Sequence, residues 1–334
     1  MIETERANNG VAVLRQDDFD ARLPPAAVLD SLREAFAALG RGDAIQPPQA
    51  SGVIADQVDV IWYPFILGTQ KLFGAKVSPY LMARKSGPKV TAWTLLCSTE
   101  TGEPVVLCDS LALTTERTAA TTALAVELLK AADAHRLAVI GTGPVGLAHL
   151  RYASEVADWS EILIYSRNLR EDNSIFERIP EKLRAKVKIA DSAESAAANS
   201  GVILLCTSST SPVIDYRVLR PGQIVTSLTT TTGYAHEIAP EALSQFEVYC
   251  DYRATTPSVA GEMRIAAKQH GWAPESIRGD LPELISKRAQ KPSGMAPIFF
   301  RSVGLGLEDA AIASVLIERL GIPVGAEAHE GKPA

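Results

Sequence analysis

The sequence predicts an α/β protein built around a doubly wound parallel sheet of the Rossmann type. Strand and helix patterns alternate from residue 136 onward, and a glycine turn joins the first of these strands to a helix. The length of 334 residues suits two domains. The first third differs, because strand-like runs separated by turn residues follow one another there, which predicts an antiparallel sheet with a helix.

The predicted elements of the first third can be justified in order. The sequence predicts a strand at 11–14 and an amphipathic helix at 25–40 that is capped by Gly40. The prolines at 47 and 48 predict an extended connection. Strands are predicted within 58–67, 71–80, 89–98 and 103–109, followed by a helix at 114–132.

The stretch from 136 to 168 reads as strand, glycine turn, helix and second strand. Gly141, Gly143 and Gly146 have the dinucleotide-binding spacing. The first permits the tight turn, the second lets the backbone approach a pyrophosphate, and the third lets the helix pack close to the strand. Pro144 suits the first helical turn, since its missing N–H would be unpaired there. Glycine turns also occur with nothing bound, so the prediction rests on the complete context.

The residues after the second strand indicate which dinucleotide binds. An acidic residue there would bind the ribose 2′-hydroxyl of NAD, whereas a small residue followed by arginine leaves room for a 2′-phosphate. The chain has Ser166, Arg167 and Asn168, and then Arg170. This favours NADP(H) over NAD(H). The alternative is that both arginines are solvated and either cofactor is accepted.

Beyond this stretch the alternation continues. Helices are predicted near 175–185, at 193–198, from 240 and at 308–320. Strands are predicted at 187–190, 202–206, 223–228, 247–251 and 296–300. The last ten residues are predicted to be disordered.

Composition excludes several classes of protein. The net charge of -6 and the lack of long basic runs argue against a nucleic-acid surface. No segment has the roughly twenty apolar residues of a membrane span, and the polar N-terminus lacks a signal-peptide core, so we expect a cytoplasmic protein. The four cysteines and five histidines have neither disulfide-framework nor metal-ligand spacing, so no metal site is predicted.

Two charged residues stand out in segments of otherwise apolar or small residues. Lys76 lies alone in an apolar strand, and lysine is costly to bury without a partner or a role. Arg117 lies near the start of a helix rich in alanine and threonine, which suits bidentate capture of a carboxylate. The alternatives are a strand-edge lysine that reaches solvent and a structural ion pair between Arg117 and Glu116.

Two hydroxyl-rich loops follow strands of the predicted parallel sheet. One spans 207–211, and the other spans 229–233 and is followed by His236 and Glu237. Loops at the carboxyl ends of such strands line the ligand crevice, where hydroxyls can bind the cofactor. The alternative is that both are ordinary solvated loops.

Four motifs, in order over residues 25 to 320, resemble the ornithine cyclodeaminase/mu-crystallin family. They are Phe73-Gly74-Ala75-Lys76, Arg117-Thr118-Ala119-Ala120, Gly141 to Gly146, and Ser302-Val303-Gly304 with Glu308-Asp309. The resemblance implies a Rossmann domain at 119–304. It also implies a discontinuous α+β substrate-binding and dimerisation domain at 1–118 and 305–334, a homodimer, and an active site between the domains.

The resemblance implies roles for individual residues. Lys76 would contact an amino-acid-like substrate and Arg117 would hold its carboxylate, while Lys76 and Thr231 occupy catalytic positions. The substrate-binding positions are Gln49, Lys76, Arg117, Ser302 and Gly304. Together with the glycine turn and the loops, the cofactor-binding residues are Thr118, Gly141, Thr142, Gly143, Pro144, Val145, Gly146, Ser166, Arg167, Asn168, Cys206, Thr207, Ser208, Ser227, Leu228 and Thr229.

Two positions depart from the family pattern. Thr231 stands where cyclodeaminases carry a catalytic aspartate, and a threonine hydroxyl is too weak a base to replace it. Gln49 stands where the family often has an arginine that grips the substrate carboxylate. These departures favour an NAD(P)H-dependent imine reductase or amino-acid dehydrogenase, acting on a C–N bond in a specialised biosynthetic pathway. The alternatives are a cyclodeaminase that uses His236 or Glu237 as its base, and a mu-crystallin-type binding protein without turnover.

Overall fold

The computed structural model describes residues 11–16, 19, 23–54, 58–81, 84–87, 90–169, 174–230 and 233–325. The chain divides into two units, of which the first comprises Met1–Arg117 and Leu305–Ala334 and the second Thr118–Gly304. Arg170 and Thr231, to which the sequence assigned roles, lie outside the described residues. The last ten residues, predicted to be disordered, lie almost wholly outside them as well.

The elements up to residue 129 belong mainly to the first unit. They are β1 (Ala12–Leu14), α1 (Pro25–Arg41), β2 (Ala44–Ile45), β3 (Ala50–Ile54), β4 (Val58–Leu67), β5 (Leu72–Tyr80), β6 (Trp93–Ser98), β7 (Pro104–Asp109) and α2 (Leu111–Leu129). Helix α1 continues past Gly40, and its left-handed cap is Gly42, whose N–H is bonded to Ala38 and Leu39. The prediction of Gly40 as the cap is therefore wrong, because glycine inside a helix is tolerated.

The sheet of the first unit is mixed rather than antiparallel. Its order is β1-β7-β6-β5-β4-β2, with β3 also paired to β4. Strands β2 to β7 pair antiparallel, but β1 pairs parallel with β7. The antiparallel prediction fails only at β1, because α1 and five strands separate β1 from its partner along the chain. Lys76 lies on β5, between β4 and β6, so the strand-edge alternative for this residue is wrong.

The remaining elements form the second unit and the final helix. They are β8 (Arg136–Ile140), α3 (Pro144–Val156), β9 (Glu161–Tyr165), α4 (Ile175–Arg178), α5 (Glu181–Arg184), β10 (Val187–Ile189), α6 (Ala193–Ala198), β11 (Val202–Leu205), β12 (Ile224–Ser227), β13 (Glu247–Cys250), α7 (Thr256–Val259), α8 (Gly261–Gln269), β14 (Gly279–Asp280), α9 (Leu281–Ile285), β15 (Ile298–Arg301) and α10 (Gly306–Leu320). Pro180 separates α4 from α5, so the single helix predicted at 175–185 is wrong. The helix predicted from residue 240 is a 3-10 turn at Pro240–Gln245.

The sheet of the second unit is parallel throughout. Its order is β10-β9-β8-β11-β12-β15-β13-β14. Connections run outward in one direction from β8 and in the other from β11, so the switch point lies between these two strands. Ligands of such sheets bind at the carboxyl ends of the strands at this point. This is the α/β, doubly wound fold that the sequence predicts.

The final helix returns to the first unit and completes its core. Helix α10 packs against β4, β5 and α1, and Ser31 Oγ of α1 donates to the Ala311 carbonyl at 2.7 Å. A side chain at Gly306 would place its Cβ 2.3 Å from the Tyr63 carbonyl oxygen, so only glycine lets α10 begin this close to β4. This approach brings Glu308 and Asp309 beneath the sheet. Among the described residues, no helix is both long and apolar enough to cross a membrane.

Candidate active site

The glycine turn after β8 is shaped by backbone contacts that exclude side chains. Gly141 has φ 106°, and a Cβ there would lie 2.3 Å from the Cys206 carbonyl oxygen. A Cβ at Gly146 would lie 1.8 Å from the Gly141 carbonyl oxygen. A Cβ at Gly143, by contrast, would meet nothing within 4 Å. The turn therefore leaves open space at the glycine where the backbone must approach a pyrophosphate, directly before Pro144 at the start of α3.

The polar residues after β9 lie next to this turn. Thr142 Oγ1 and Ser166 Oγ are 2.9 Å apart and share a hydrogen bond. Arg167 and Asn168 are exposed. A small hydroxyl residue followed by an exposed arginine matches the features that accommodate a 2′-phosphate. The described residues of this unit thus fit a dinucleotide.

Glu237 joins the two loops that follow β11 and β12. Its Oε1 accepts from Thr207 N at 2.8 Å and Thr207 Oγ1 at 2.7 Å. Its Oε2 accepts from Ser227 Oγ at 2.9 Å, Leu228 N at 3.1 Å and Thr229 N at 3.3 Å. Five donors occupy the acceptor sites of this fully buried carboxylate. Glu237 therefore holds the loops in place, which argues against its role as a catalytic base.

A second buried carboxylate holds the segment that contains Ser302 and Gly304. Asp251 Oδ2 accepts from Ser302 Oγ at 3.1 Å, Val303 N at 2.7 Å and Gly304 N at 3.0 Å. Nearby, the buried Arg301 and Glu262 form an ion pair at 2.6 Å. The Ser302 hydroxyl is thus already used as a donor within the second unit. A substrate-binding role for Ser302 and Gly304 stays a prediction.

The first unit contains a buried group of four charged residues. Lys76 Nζ lies 2.7 Å from Asp309 Oδ2, and these side chains are 1% and 0% exposed. Arg117 Nη1 donates to Glu308 Oε2 at 3.0 Å, and Arg117 Nε lies 3.7 Å from Asp309 Oδ1. Lys76 Nζ also lies 4.5 Å from the centre of the Tyr63 ring. Strand β5, helix α2 and helix α10 thus bring together two residues that the sequence singled out, Lys76 and Arg117.

Burial and neighbouring charges alter the acidity of this group. The pKa of Lys76 is lowered to about 8, chiefly by burial and then by the charge of Arg117, while Asp309 opposes both effects. Burial also acts to lower the pKa of Arg117, but Asp309 and Glu308 outweigh it, so this pKa is raised. The result is a permanently charged guanidinium beside an ammonium whose pKa lies closer to neutrality than that of an ordinary lysine.

Several residues of this site could not be recognised from the sequence. Glu308 and Asp309 belong to a family motif that indicated no role for them, and nothing in the sequence singled out Asp251 or Glu262. Acidic residues in the first turn of a helix are common. The sequence around Glu308 and Asp309 therefore does not indicate that they pair with cations more than 190 residues away. Gln49, a predicted substrate contact, is half-buried before β3. No group of three His, Cys, Asp or Glu side chains within the described ranges could hold a metal ion.

A parallel sheet whose order reverses beside a glycine turn, together with a separate unit carrying a buried lysine and arginine, defines a two-domain dinucleotide-dependent enzyme. The chain belongs to the ornithine cyclodeaminase/mu-crystallin family, whose sequence model matches residues 11–321. The resemblance seen in the motifs is confirmed.

Individual relatives agree with this assignment. The NAD(P)H-dependent anabolic L-arginine dehydrogenase DauB of Pseudomonas aeruginosa is 48% identical over 308 residues, covering 91% of this chain and 96% of the relative. The Delta(1)-pyrroline-2-carboxylate reductase of Colwellia psychrerythraea is 25% identical over 237 residues, covering 70% and 74%. The expectation of an NAD(P)H-dependent oxidoreductase that acts on the C–N bond of amino-acid-derived imines or amines is confirmed.

The fold also matches solved structures. The structure of Thermococcus litoralis Delta(1)-pyrroline-2-carboxylate reductase in complex with NADH and L-proline superposes with a TM-score of 0.85. The two chains are 24% identical, and the match covers 93% of this chain and 98% of the other. At this identity the likeness shows the shared fold alone.

Proposed function

We propose that this protein interconverts a basic L-amino acid and its 2-imino acid, with L-arginine as the first candidate and NADP(H) as the preferred dinucleotide. The observation that carries the substrate is the 48% identity, over nearly the full length of both chains, to an L-arginine dehydrogenase. The buried Arg117 and Lys76 support it, because a guanidinium can bind an α-carboxylate and an ammonium can donate to the substrate.

In this proposal the two buried cations, Arg117 and Lys76, have distinct tasks. The Arg117 guanidinium has five N–H donors, and Glu308 takes one through Nη1. The others can orient the substrate carboxylate. Lys76 donates a hydrogen bond or a proton to the substrate, which its lowered pKa of about 8 favours. When bound, the reduced dinucleotide supplies the hydride that the C=N carbon accepts. Because an iminium carbon is already electrophilic, the reaction needs positioning more than it needs a strong base at residue 231.

A substrate panel tests the proposed function. The 2-oxo acids of arginine, lysine, norleucine and alanine are each supplied with ammonia, and oxidation of NADPH or NADH is followed. We expect the highest kcat/KM with the arginine-derived acid and NADPH. Ammonia release from ornithine with no net change in the dinucleotide would support the cyclodeaminase alternative. Binding of the dinucleotide without turnover of any acid would support the binding-protein alternative.

The preference for NADP(H) depends on Arg167 in this proposal. Arg167 is exposed, follows Ser166, and carries the charge that a 2′-phosphate requires. Arg167→Ala is expected to weaken NADPH binding about 10- to 100-fold and to leave NADH binding unchanged, as for the loss of one charged hydrogen bond. Calorimetric titration of both dinucleotides measures this. Equal weakening of both would contradict the assignment, and Arg178→Ala provides a matched arginine control in the same unit.

We also propose that the protein forms a homodimer through the sheet of its first unit. The sheet face opposite α10 exposes large apolar side chains, and Ile45, Ile66 and Phe73 lie side by side across β2, β4 and β5. Trp62 and Leu95 are 40% and 41% exposed on the same face. Contiguous apolar patches of this kind are rare on monomers. The patch is continuous across the sheet, which suits a self-complementary contact between two copies.

A charge introduced into this patch tests the dimer. Ile66→Arg is expected to halve the mass in solution, because an unpaired charge in an apolar interface is strongly unfavourable. Sedimentation velocity measures the mass. Met295→Arg is the matched control, since Met295 is 81% exposed in the second unit. A wild-type protein with the mass of one chain would refute the proposal.

A further inference from the structure

Asp59 on β4 is a carboxylate without a partner among the described residues. The residue is half-buried, and its Oδ1 is buried without a hydrogen bond. A buried acceptor that lacks a donor is unfavourable in a folded protein. None of the interactions described above involves this side chain, so it is available to bind a ligand.

Strand geometry places Asp59 on the sheet face that carries Lys76. Side chains alternate along a strand, so Asp59 and Tyr63 project from the same face of β4. Tyr63 is directly opposite Lys76, and Asp59 is directly opposite Tyr80. Burial raises the pKa of Tyr80, and the nearby Asp59 carboxylate also raises it. The face therefore runs from Asp59, past Tyr80 and Tyr63, to the buried cations.

The charges on this face are distributed unevenly. Lys76 and Arg117 are balanced by Asp309 and Glu308, which form ion pairs with them. Within the described part of the chain, by contrast, Asp59 Oδ1 has no hydrogen-bond partner. Tyr63 lies four residues further along β4 than Asp59, which corresponds to about 13 Å along the strand. A substrate that spans this face needs an anionic group at one end and a cationic group at the other.

We propose that Asp59 binds the cationic end of the substrate side chain while Arg117 holds the α-carboxylate beside Lys76. This inference rests on the proposed function and adds the residue that selects the substrate class. A guanidinium suits the site best, because its planar N–H groups bind a carboxylate in a bidentate manner. An ammonium at the end of a lysine side chain is the weaker alternative. Short or neutral side chains leave Asp59 unpaired.

L-citrulline provides the matched substrate, because it replaces the guanidinium of L-arginine with a neutral ureido group of nearly the same shape. Oxidation of each amino acid by NADP⁺ is measured in the wild type, Asp59→Asn, Asp59→Glu and Asp30→Asn. Asp30 is an exposed carboxylate of the same unit and controls for the change in net charge. We expect the wild type to favour arginine over citrulline about 100-fold in kcat/KM.

The variants separate recognition from folding and from chemistry. Asp59→Asn is expected to reduce the preference for arginine over citrulline to within about threefold, chiefly by raising KM for arginine. Asp59→Glu retains the charge and is expected to keep a preference for arginine, whereas Asp30→Asn keeps the full ratio. L-lysine, tested in parallel, distinguishes an ammonium from a guanidinium as the favoured cation.

Three outcomes would overturn the inference. An unchanged ratio in Asp59→Asn would reject Asp59 and leave the proposed function intact. A wild type that oxidises neutral amino acids better than basic ones would reject the substrate class but not the oxidoreductase activity. A wild type inactive with every amino acid and every 2-oxo acid would reject the proposed function and this inference with it.

Discussion

Replacing Lys76 by methionine is expected to lower kcat for reduction about a thousandfold, within the range that general acid catalysis contributes. Methionine keeps the length and apolar stem of lysine but removes the hydrogen-bond donor and the proton. The Kd of NADPH should stay within about twofold of the wild type, because Lys76 is not among the residues expected to bind the dinucleotide. Steady-state kinetics and calorimetry measure the two quantities.

Stability must be controlled in this experiment, because Lys76 and Asp309 form a fully buried pair. Removing one partner of such a pair costs about 3 to 5 kcal/mol. The double variant Lys76→Met with Asp309→Asn removes both charges and is expected to recover most of that loss. If the double variant is as stable as the wild type and still lacks activity, the loss is chemical. Full activity in a folded Lys76→Met variant would contradict the proposed role of Lys76.

The dependence of the rate on pH is an independent test of the role of Lys76. The folded-state pKa of Lys76 is about 8, so the ammonium form decreases as pH rises through that value. We expect kcat/KM for reduction to fall above pH about 8. Dividing the wild-type profile by that of Lys76→Met cancels titrations common to both, including that of ammonia. A ratio that is independent of pH would show that the proton of Lys76 is not required.

The sequence was most informative where function and local geometry depend on the same residues. The spacing of Gly141, Gly143 and Gly146 is both a backbone requirement and a binding feature, so it could be read directly. The lone lysine in an apolar strand was recognisable because burying an ammonium is costly. The parallel sheet was also predictable, because its strands appear as short apolar runs between helical patterns. Strands covered by helices on both faces must be apolar throughout.

Contacts between distant residues could not be predicted in this way. Nothing near Lys76 indicates that Asp309 is its partner, because the pairing depends on how closely Gly306 lets α10 approach β4. Glu237 looked like a possible base, because its sequence neighbours do not reveal that five donors surround it. Asp59 carried no signal at all. Its significance comes from the lack of a partner, which only a three-dimensional structure can show.

The second large effect is expected at Gly143, which should separate binding from folding. Gly143 has φ -71°, and a Cβ there would meet nothing within 4 Å. Alanine therefore fits, and its more restricted unfolded chain should stabilise the protein by about 0.4 to 1 kcal/mol. The added methyl group nevertheless occupies the space through which a pyrophosphate approaches the backbone. Gly143→Ala is accordingly expected to weaken NADPH binding at least about 100-fold, as measured by calorimetry.

Gly146→Ala is the contrasting variant that makes this result interpretable. Its Cβ would lie 1.8 Å from the Gly141 carbonyl oxygen, so the turn would have to open, and both the melting temperature and NADPH binding should decrease. A Gly143→Ala protein that is stable and unable to bind would show that open space is kept at this position for the cofactor. If Gly143→Ala bound NADPH as tightly as the wild type, the pyrophosphate could not lie against this glycine. The dinucleotide would then have to bind to other groups of the second unit, even though the spacing of its glycines is that of a dinucleotide-binding turn.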